Sequence, residues 1–433
     1  MTGAVETAAI DSDGGAQATP DSGPIARGKR IDSLDFIRGI AVMGILAANI
    51  VAFGQPMTAY MYPGAFTTGH SPAEDWMWIA QFVLIDGKMR TLFTLLFGAG
   101  MYLFMERAWA RGEGAGRQVR RLLWLLLFGM AHFFLLWRGD ILTFYAGFGL
   151  LALPMVYFSA RVQFVVGLLL YAMGALLWAG LMGIFVLAAD TPTGDPGQPL
   201  GDMREQILHD QEVELEDGRL ETELVSEGRY GEWVAHNMTR HRYDQGFMLL
   251  IWFLETFPLL LIGMALYRWG FFEGRFNERR MRRWGWIGLA LGGLVSLLLA
   301  LWVRDGGYTY YGTQSAMVGF TFLPRLAMAL GMAALFVLMA PRATGWLGSR
   351  IKAAGRAAFT NYLGTSMLMV LVFHGWAAGL FGELGRTQLY LVVLLTWAIM
   401  LLWSKPWLER FRFGPLEWLW RCLTYGRRFA LRR

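Results

Sequence analysis

The stretch that decides the fold is Ile31-Asp32-Ser33-Leu34-Asp35-Phe36-Ile37-Arg38-Gly39-Ile40-Ala41, which runs directly into an apolar segment ending at Asn49-Ile50. Two carboxylates and a guanidinium stand where an apolar helix begins. Arg38 and Asn49 are eleven residues apart, about three helical turns, so both side chains project from nearly the same face. Either Arg38 extends to lipid headgroups and Asn49 bonds a neighbouring helix, or this face lines a polar site.

The amino-acid composition is that of a membrane protein. Of the 433 residues, 55% are hydrophobic, with 19 Trp and 30 Phe, whereas soluble domains average about 45–50% apolar residues. The formal net charge of +6 comes mostly from arginine in short loops, which indicates topology signals and lipid contact rather than nucleic-acid binding. The single Cys422 excludes an internal disulfide framework.

Hydropathy divides the chain into five parts: a disordered tail at 1–30, a membrane half at 31–189, an acidic loop at 190–245, a second membrane half at 246–404 and a basic interfacial tail at 405–433. Ten segments are apolar enough for spanning helices of about 20 residues: 34–54, 91–107, 121–137, 140–158, 163–189, 246–269, 284–303, 317–340, 357–378 and 388–404.

Basic residues cluster in alternate connections between these segments. The positive-inside rule then predicts that both termini are cytoplasmic. We therefore expect an all-α, polytopic helical protein of the bacterial inner membrane. The long acidic loop is interrupted by Leu and Trp, a pattern that predicts short amphipathic helices over the opposite face.

Ionisable residues inside apolar segments are costly and are therefore candidate functional groups. His132 lies near the end of the third segment, and Asp140 begins the fourth after a tight Arg138-Gly139 turn. The two side chains can approach each other because the next segment returns alongside. An aspartate that fixes a histidine tautomer produces a general base. The alternative is that Asp140 caps a helix and His132 bonds a neighbouring one.

Two further groups of charges lie in the apolar segments. Glu255 and Arg325 fall at similar depth, each close to a proline, and predict either a buried ion pair or a substrate site. Lys88 and Arg90 begin the second segment from the side that is otherwise poor in basic residues, so they bind an anionic group or the segment dips inward.

Arg356 and Asn361 open the ninth segment. An arginine and an amide at a helix N-terminus suit a phosphate group, including those of coenzyme A, and suit lipid headgroups equally well.

Four blocks of the sequence resemble the YeiB-like family of bacterial membrane proteins: residues 34–49, residues 85–98, the block from His132 to Tyr145, and Phe411-Arg412-Phe413-Gly414-Pro415 with the residues up to Gly426. Together the resembling blocks cover about residues 31–428. The first block is also similar to heparan-α-glucosaminide N-acetyltransferases and, more loosely, to the acyltransferase-three family. In the latter a histidine stands at the place of Asn49, and asparagine cannot act as a general base.

The resemblance implies a membrane acyltransferase that moves an acyl group from a cytoplasmic thioester donor, acetyl-CoA or another acyl-CoA, to an envelope glycan or lipid. Arg356 and Asn361 would hold the donor phosphates, Arg38 and Asn49 would line the route, and His132 with Asp140 would deprotonate the acceptor. No metal is expected, and the expected partners are membrane lipids and the acceptor. The alternatives are a transporter or flippase of a small anionic or lipid-linked substrate, which would use Glu255 and Arg325, and an envelope assembly partner without catalysis.

Overall fold

The computed structural model describes residues 31–190 and 199–433, and within these ranges the chain is helical and contains no strand. The predicted disordered tail lies outside the described residues. The helices before the gap are α1 (Asp32–Gly54), α2 (Asp75–Leu84), α3 (Lys88–Trp109), α4 (Gly116–Leu135), α5 (Leu142–Ala152) and α6 (Ala160–Asp190). Those after it are α7 (Pro199–Ser226), α8 (Tyr230–Arg240), α9 (Asp244–Ile251), α10 (Phe253–Arg268), α11 (Glu278–Asp305), α12 (Tyr310–Gln314), α13 (Phe322–Met339), α14 (Trp346–Arg356), α15 (Ala358–Phe373), α16 (Arg386–Arg410) and α17 (Pro415–Tyr425).

Among the described residues, six helices are long and apolar enough to cross a membrane, namely α1, α4, α6, α11, α13 and α16. A seventh candidate is the pair α9 and α10, which is bent by 63° at Trp252. The predicted segments 140–158 and 357–378 correspond to shorter apolar helices. The remaining predicted segment, 91–107, coincides with α3, which carries Lys88 and Arg90 at its start. The chain is thus an all-α membrane protein, and its exact number of spans stays a prediction.

Helix α1 lies at the centre of the helical bundle. In the most apolar 18-residue stretch of α1, 78% of the residues are buried, whereas in the corresponding stretches of α6 and α11 only 22% are buried. Large apolar side chains of those two helices are exposed, such as Leu176 at 77% and Leu298 at 57%, as expected of surfaces that face lipid. Helix α1 packs against α3, α13, α14, α15 and α16, so the two membrane halves that the sequence suggested are packed into one unit.

Glycines allow the first turns of α1 to approach α14 closely. A Cβ atom on Gly39 would overlap the carbonyl group of Ile351, and one on Gly355 would overlap the carbonyl oxygen of Asp35. The last turn of α14, which contains Arg356, therefore lies against the first turn of α1. We call this end of the bundle, where α14 and α17 lie, the tail side.

The acidic loop forms a helical cap, made of α7 and α8, at the opposite end. Leu224 and Trp233 of the cap are buried in one cluster with Phe53 of α1 and with Trp137. The sequence predicted short helices here, but α7 is 28 residues long. It contains no proline after Pro199, and of its two glycines Gly201 lies in the first turn and Gly218 faces Thr58, so nothing in the rest of this stretch ends the helix.

Candidate functional site

Beneath the cap, three side chains form a continuous chain of hydrogen bonds. Asp140 Oδ1 lies 2.8 Å from His132 Nδ1, and Ser366 Oγ lies 2.8 Å from His132 Nε2. All three residues are 1% exposed. His132 belongs to the last turn of α4, Asp140 precedes α5, and Ser366 lies in the middle of α15. A hydroxyl, an imidazole and a carboxylate in this order are the arrangement that activates a serine nucleophile.

The turn between α4 and α5 brings Asp140 back to His132. Asp140 Oδ2 accepts a hydrogen bond from the backbone N–H of Thr143 at 2.7 Å, so the carboxylate also caps the first turn of α5. The capping role and the contact with His132 use different oxygens and are compatible. Gly129, one turn before His132, permits the close approach: a Cβ there would lie 2.5 Å from Thr143 N and 2.9 Å from Asp140 Oδ2.

Trp137 anchors this turn to α1. Its indole Nε1 donates to the carbonyl oxygen of Ala52 at 3.0 Å, and its ring stacks on Phe53 with 4.1 Å between ring centroids. Both contacts are buried at the cap end of α1. They fix the turn that carries Asp140 relative to the face of α1 that begins with Arg38.

A narrow cleft runs between this turn, α1 and α15. It is lined by Val42, Ile45, Leu46, Asn49, Phe53, Trp137, Tyr362, Thr365 and Ser366, and it has a volume of about 10 Å³, which is room for roughly one water molecule. Val42, Ile45 and Asn49 follow Arg38 at helical spacing. The face of α1 predicted from Arg38 and Asn49 is therefore the face that borders Ser366.

Asn49 and Tyr362 are polar side chains that line this cleft together with Ser366. The Asn49 side chain is partly exposed and makes no hydrogen bond within the described part of the chain. The Tyr362 hydroxyl accepts a bond from the backbone N–H of Ile141 at 3.3 Å, which leaves its own proton available. Ser366 and Tyr362 were not singled out from the sequence; the signal present was a Thr365-Ser366 pair in the middle of an apolar helix.

At the tail side the structure separates the predicted donor-binding residues. Arg38 Nη1 lies 3.1 Å from Asp35 Oδ1 in the first turns of α1. Arg356 ends α14 rather than opening α15, which starts at Ala358. The Asn361 amide donates to Ala354 O at 3.0 Å and accepts from Trp403 Nε1 at 2.9 Å. Asn361 is thus engaged inside the protein.

The N-terminus of α15 is already bound to a carboxylate. Glu417 Oε1, from α17, accepts from the backbone N–H groups of Phe359 at 2.7 Å and of Thr360 at 3.0 Å. Its Oε2 accepts from the Thr360 hydroxyl at 2.5 Å. The anion expected at this helix N-terminus is therefore supplied by the protein itself.

The other predicted charges meet near the start of α3. Glu255 Oε1 accepts from Arg325 Nη1 at 2.8 Å and from Arg90 Nη2 at 2.7 Å. Lys88 is buried, and its Nζ donates to the carbonyl oxygen of Phe82 at 2.6 Å. The structure thus brings together Glu255, Arg325 and Arg90, and it places Lys88 at the start of the same helix as Arg90.

A cluster of charges joins the cap to the turn that carries Asp140. Arg138 donates to Asp217 Oδ2 at 3.1 Å and to Glu221 Oε2 at 2.8 Å, both on α7, and it contacts His241. Asp217, His236 and His241 also place three potential metal-ligand atoms within 4.8 Å of one another. The Arg138 guanidinium lies against two of these residues, so it occupies a position that a cation would need.

Attachment of the cap is expected to depend on pH. Burial disfavours the Asp217 carboxylate, but hydrogen bonds from His241 and Arg138 outweigh burial and hold its pKa below the ordinary value. For His241, burial and the nearby Arg138 lower the pKa, whereas Asp217 and Asp244 raise it, and the net shift is upward. The lowered pKa of Asp217 makes the attachment of the cap more stable at pH values above about 4. The raised pKa of His241 also stabilises the attachment, and this contribution is lost as the pH rises through a value above about 6.5.

Hydrogen exchange of the α7 amides, corrected for the intrinsic exchange rate, measures this attachment. Protection is expected to be highest between about pH 4 and 6.5 and to fall on raising the pH to about 8.5. In His241→Gln the fall between these two pH values is expected to disappear. Equal protection at both pH values in the unmodified protein would contradict the assignment.

The comparisons with known proteins identify relatives along nearly the whole chain. The family model DUF418, described as a protein of unknown function, matches residues 266–427. The "Uncharacterized protein YeiB" of Escherichia coli K12 is 33% identical over 399 residues, which cover 90% of this chain and 95% of that protein. The "Uncharacterized protein YxaH" of Bacillus subtilis 168 is 28% identical over 416 residues, covering 93% and 96%. No solved structure matches.

Proposed function

We propose, on the premise that the chain belongs to the YeiB-like DUF418 family, that it is a membrane acyltransferase whose centre is Ser366, His132 and Asp140. The observation that carries this proposal is the continuous hydrogen-bonded chain of hydroxyl, imidazole and carboxylate beside a cleft. If His132 served only to link α4 to α15, its hydrogen bond to Ser366 would be sufficient, and the second bond, to Asp140, would not be needed. The ordered contacts at both ring nitrogens also fix the tautomer, which is what a general base requires.

In the first step Ser366 Oγ attacks the carbonyl carbon of a thioester. His132 Nε2 takes the hydroxyl proton as the Oγ–carbon bond forms, and it returns that proton to the sulfur as the carbon–sulfur bond breaks. Asp140 accepts from His132 Nδ1 and stabilises the imidazolium that forms between these events. The products are a free thiol and an acyl ester on Ser366.

In the second step His132 Nε2 takes a proton from an acceptor hydroxyl or amine. The acceptor attacks the acyl carbon, the bond from that carbon to Ser366 Oγ breaks, and His132 returns the proton to Ser366. The Asn49 amide and the Tyr362 hydroxyl line the same cleft and can donate to the carbonyl oxygen as it gains negative charge. Asn49 thus acts as a hydrogen-bond donor, a role that does not require a base.

The thioester donor is proposed to enter from the tail side. Arg38 and the neighbouring last turn of α14, with Arg356, suit its phosphate groups. Eleven residues of α1 separate Arg38 from Asn49, about 16 Å at 1.5 Å per residue, so the acyl arm has to lie along this face. Because the cleft holds about 10 Å³, α15 and α1 have to separate to admit it.

The same proposal includes ten spans, cytoplasmic termini and a place in the bacterial inner membrane. Its support is the density of basic residues on the tail side, where α11 begins with Arg279, Arg280, Arg282 and Arg283 and α14 carries Arg350, Lys352 and Arg356. By the positive-inside rule this side is cytoplasmic. The acceptor, an envelope glycan or lipid, would then reach Ser366 from the cap side.

The test is to incubate the purified protein in lipid vesicles with acyl-labelled acetyl-CoA, and separately with propionyl-CoA and succinyl-CoA. Without acceptor, label is expected to accumulate on the protein as an ester that hydroxylamine removes. Adding a membrane extract that supplies the acceptor is expected to discharge it. Absence of protein-bound label and of donor consumption with all three thioesters, with and without the extract, would contradict the proposal.

A further inference from the structure

The Arg90–Glu255–Arg325 cluster carries more positive than negative charge. Both guanidinium groups bind the same carboxylate oxygen, Glu255 Oε1, at 2.7 and 2.8 Å. Arginine stays protonated in proteins, so two positive charges face one negative charge. Arg325 and Glu255 are 3% and 2% exposed. A surplus charge beside groups buried this deeply is expensive, and a bound anion would compensate it.

Several polar atoms in the cluster have no partner among the described residues. Glu255 Oε2 and Arg325 Nε are both buried and make no hydrogen bond there. Arg325 Nη2 donates to the Thr321 hydroxyl at 2.9 Å and also bonds the carbonyl oxygen of Met317. A site built only as an ion pair would pair both carboxylate oxygens. The observed arrangement leaves donor capacity on Arg325, which is the kind of group that an anion uses.

The backbone is irregular on two sides of this cluster. The break of 63° between α9 and α10 occurs at Trp252, three residues before Glu255. The six residues Ser315–Phe320 form a π-helix directly before α13, which carries Arg325. Irregular helices at membrane depth occur where the backbone is buried in protein or lines a polar cavity, and interrupted helices form the substrate sites of many transporters.

The third side of the cluster is the start of α3. Gly87 has φ +71°, a conformation that favours glycine, and a Cβ there would lie 2.8 Å from Arg325 Cζ. Arg90, in the first turn of α3, has a side chain that is 30% exposed, and its guanidinium lies 4.1 Å from the Trp252 ring centroid. Arg90 and Trp252 therefore form the accessible edge of an otherwise buried site.

We propose that Arg90 and Arg325 form a binding site for a phosphate group, with Glu255 holding the two guanidiniums in place until the anion arrives. The planar guanidinium forks match phosphate oxygens in bidentate geometry. The phosphate belongs either to a solute or to a lipid headgroup, and the chemistry of recognition is the same for both. This site is separate from Ser366 and does not depend on the proposed acyl transfer.

The experiment measures binding to the full-length protein in nanodiscs by its melting temperature, at constant ionic strength. In phosphatidylcholine discs, inorganic phosphate is expected to raise the melting temperature with saturation, while chloride is not. In Arg90→Gln the apparent affinity for phosphate is expected to fall at least tenfold. The control is Arg229→Gln, which removes an exposed arginine of the cap that pairs with Glu232 and is expected to leave phosphate binding unchanged.

Two further arms complete the test. Glu255→Gln removes the competing carboxylate and is expected to tighten phosphate binding, whereas a purely structural ion pair would only be weakened. In discs that contain phosphatidylglycerol, a rise in melting temperature that Arg90→Gln abolishes, without any effect of inorganic phosphate, identifies a lipid headgroup as the ligand. If neither phosphate nor phosphatidylglycerol stabilises the protein in an Arg90-dependent way, the site is overturned.

Discussion

Ser366→Ala is expected to abolish acyl labelling of the protein and to lower acyl transfer by about 10⁴- to 10⁶-fold, the range seen when one member of a serine–histidine–aspartate set is removed. The loss arises because alanine offers no oxygen to the acyl carbon. The measurement is the amount of hydroxylamine-sensitive label per protein together with the rate of donor consumption. The melting temperature is expected to fall modestly, because the buried His132 Nε2 loses its hydrogen-bond partner, which costs about 1–3 kcal/mol.

The matched control is Ser296→Ala. Ser296 is a fully buried serine of α11 whose Oγ, within the part of the chain that the structure describes, hydrogen-bonds only to the sulfur of Met328, at 3.8 Å, so its loss is expected to leave labelling intact. His132→Gln separates the remaining possibilities. If Ser366→Ala keeps transfer while His132→Gln loses it, His132 acts directly on the acceptor and no acyl-serine forms. If both variants keep full activity, the proposed centre is only structural.

Gly129→Ala is expected to lower both stability and acyl transfer, although it adds one methyl group. Its Cβ would lie 2.5 Å from Thr143 N, so the start of α5 has to move away from α4. Overpacking of this kind typically costs about 1–3 kcal/mol. Moving Asp140 by about 1 Å from His132 is expected to lower the transfer rate by roughly 10²-fold. Melting temperature and transfer rate measured on the same preparation test both effects.

Gly100→Ala provides the comparison for this variant. Gly100 lies within α3, and a Cβ there meets no atom within 4 Å, so alanine is expected to be neutral or to stabilise the helix by up to about 1 kcal/mol. Unchanged transfer in Gly129→Ala would show that the spacing of α4 and α5 does not control the reaction. Equal losses in both variants would indicate a general intolerance of alanine rather than a specific contact.

Local contacts of the site could be predicted from the sequence, and distant ones could not. His132 and Asp140 are eight residues apart across a tight turn, so helical spacing alone brings them together. Ser366 is 234 residues from His132, and no pattern in an apolar helix indicates which of its faces meets α4. Arg38 and Asn49 were placed on one face because both belong to one helix; that this face borders Ser366 depends on how α1 packs against α15.

For the fold, too, local features could be predicted from the sequence and contacts between distant residues could not. Hydropathy located the helical segments because the cost of burying backbone polar groups in lipid is a local property of about 20 residues. It did not locate the break at Trp252, which lies six residues before Pro258. Nor could it show that Glu417 would supply the anion at the N-terminus of α15, because that contact joins residues far apart in the chain.

The contact of Glu417 with α15 has a consequence for biosynthesis. Helix α15 carries Ser366, but the carboxylate that completes its first turn comes from Glu417 of α17, which follows Phe359 by 58 residues in the chain. Until the ribosome has synthesised α17, the N–H groups of Phe359 and Thr360 lack this partner. The start of α15 is therefore completed only after the helix itself, and α16 after it, have been made.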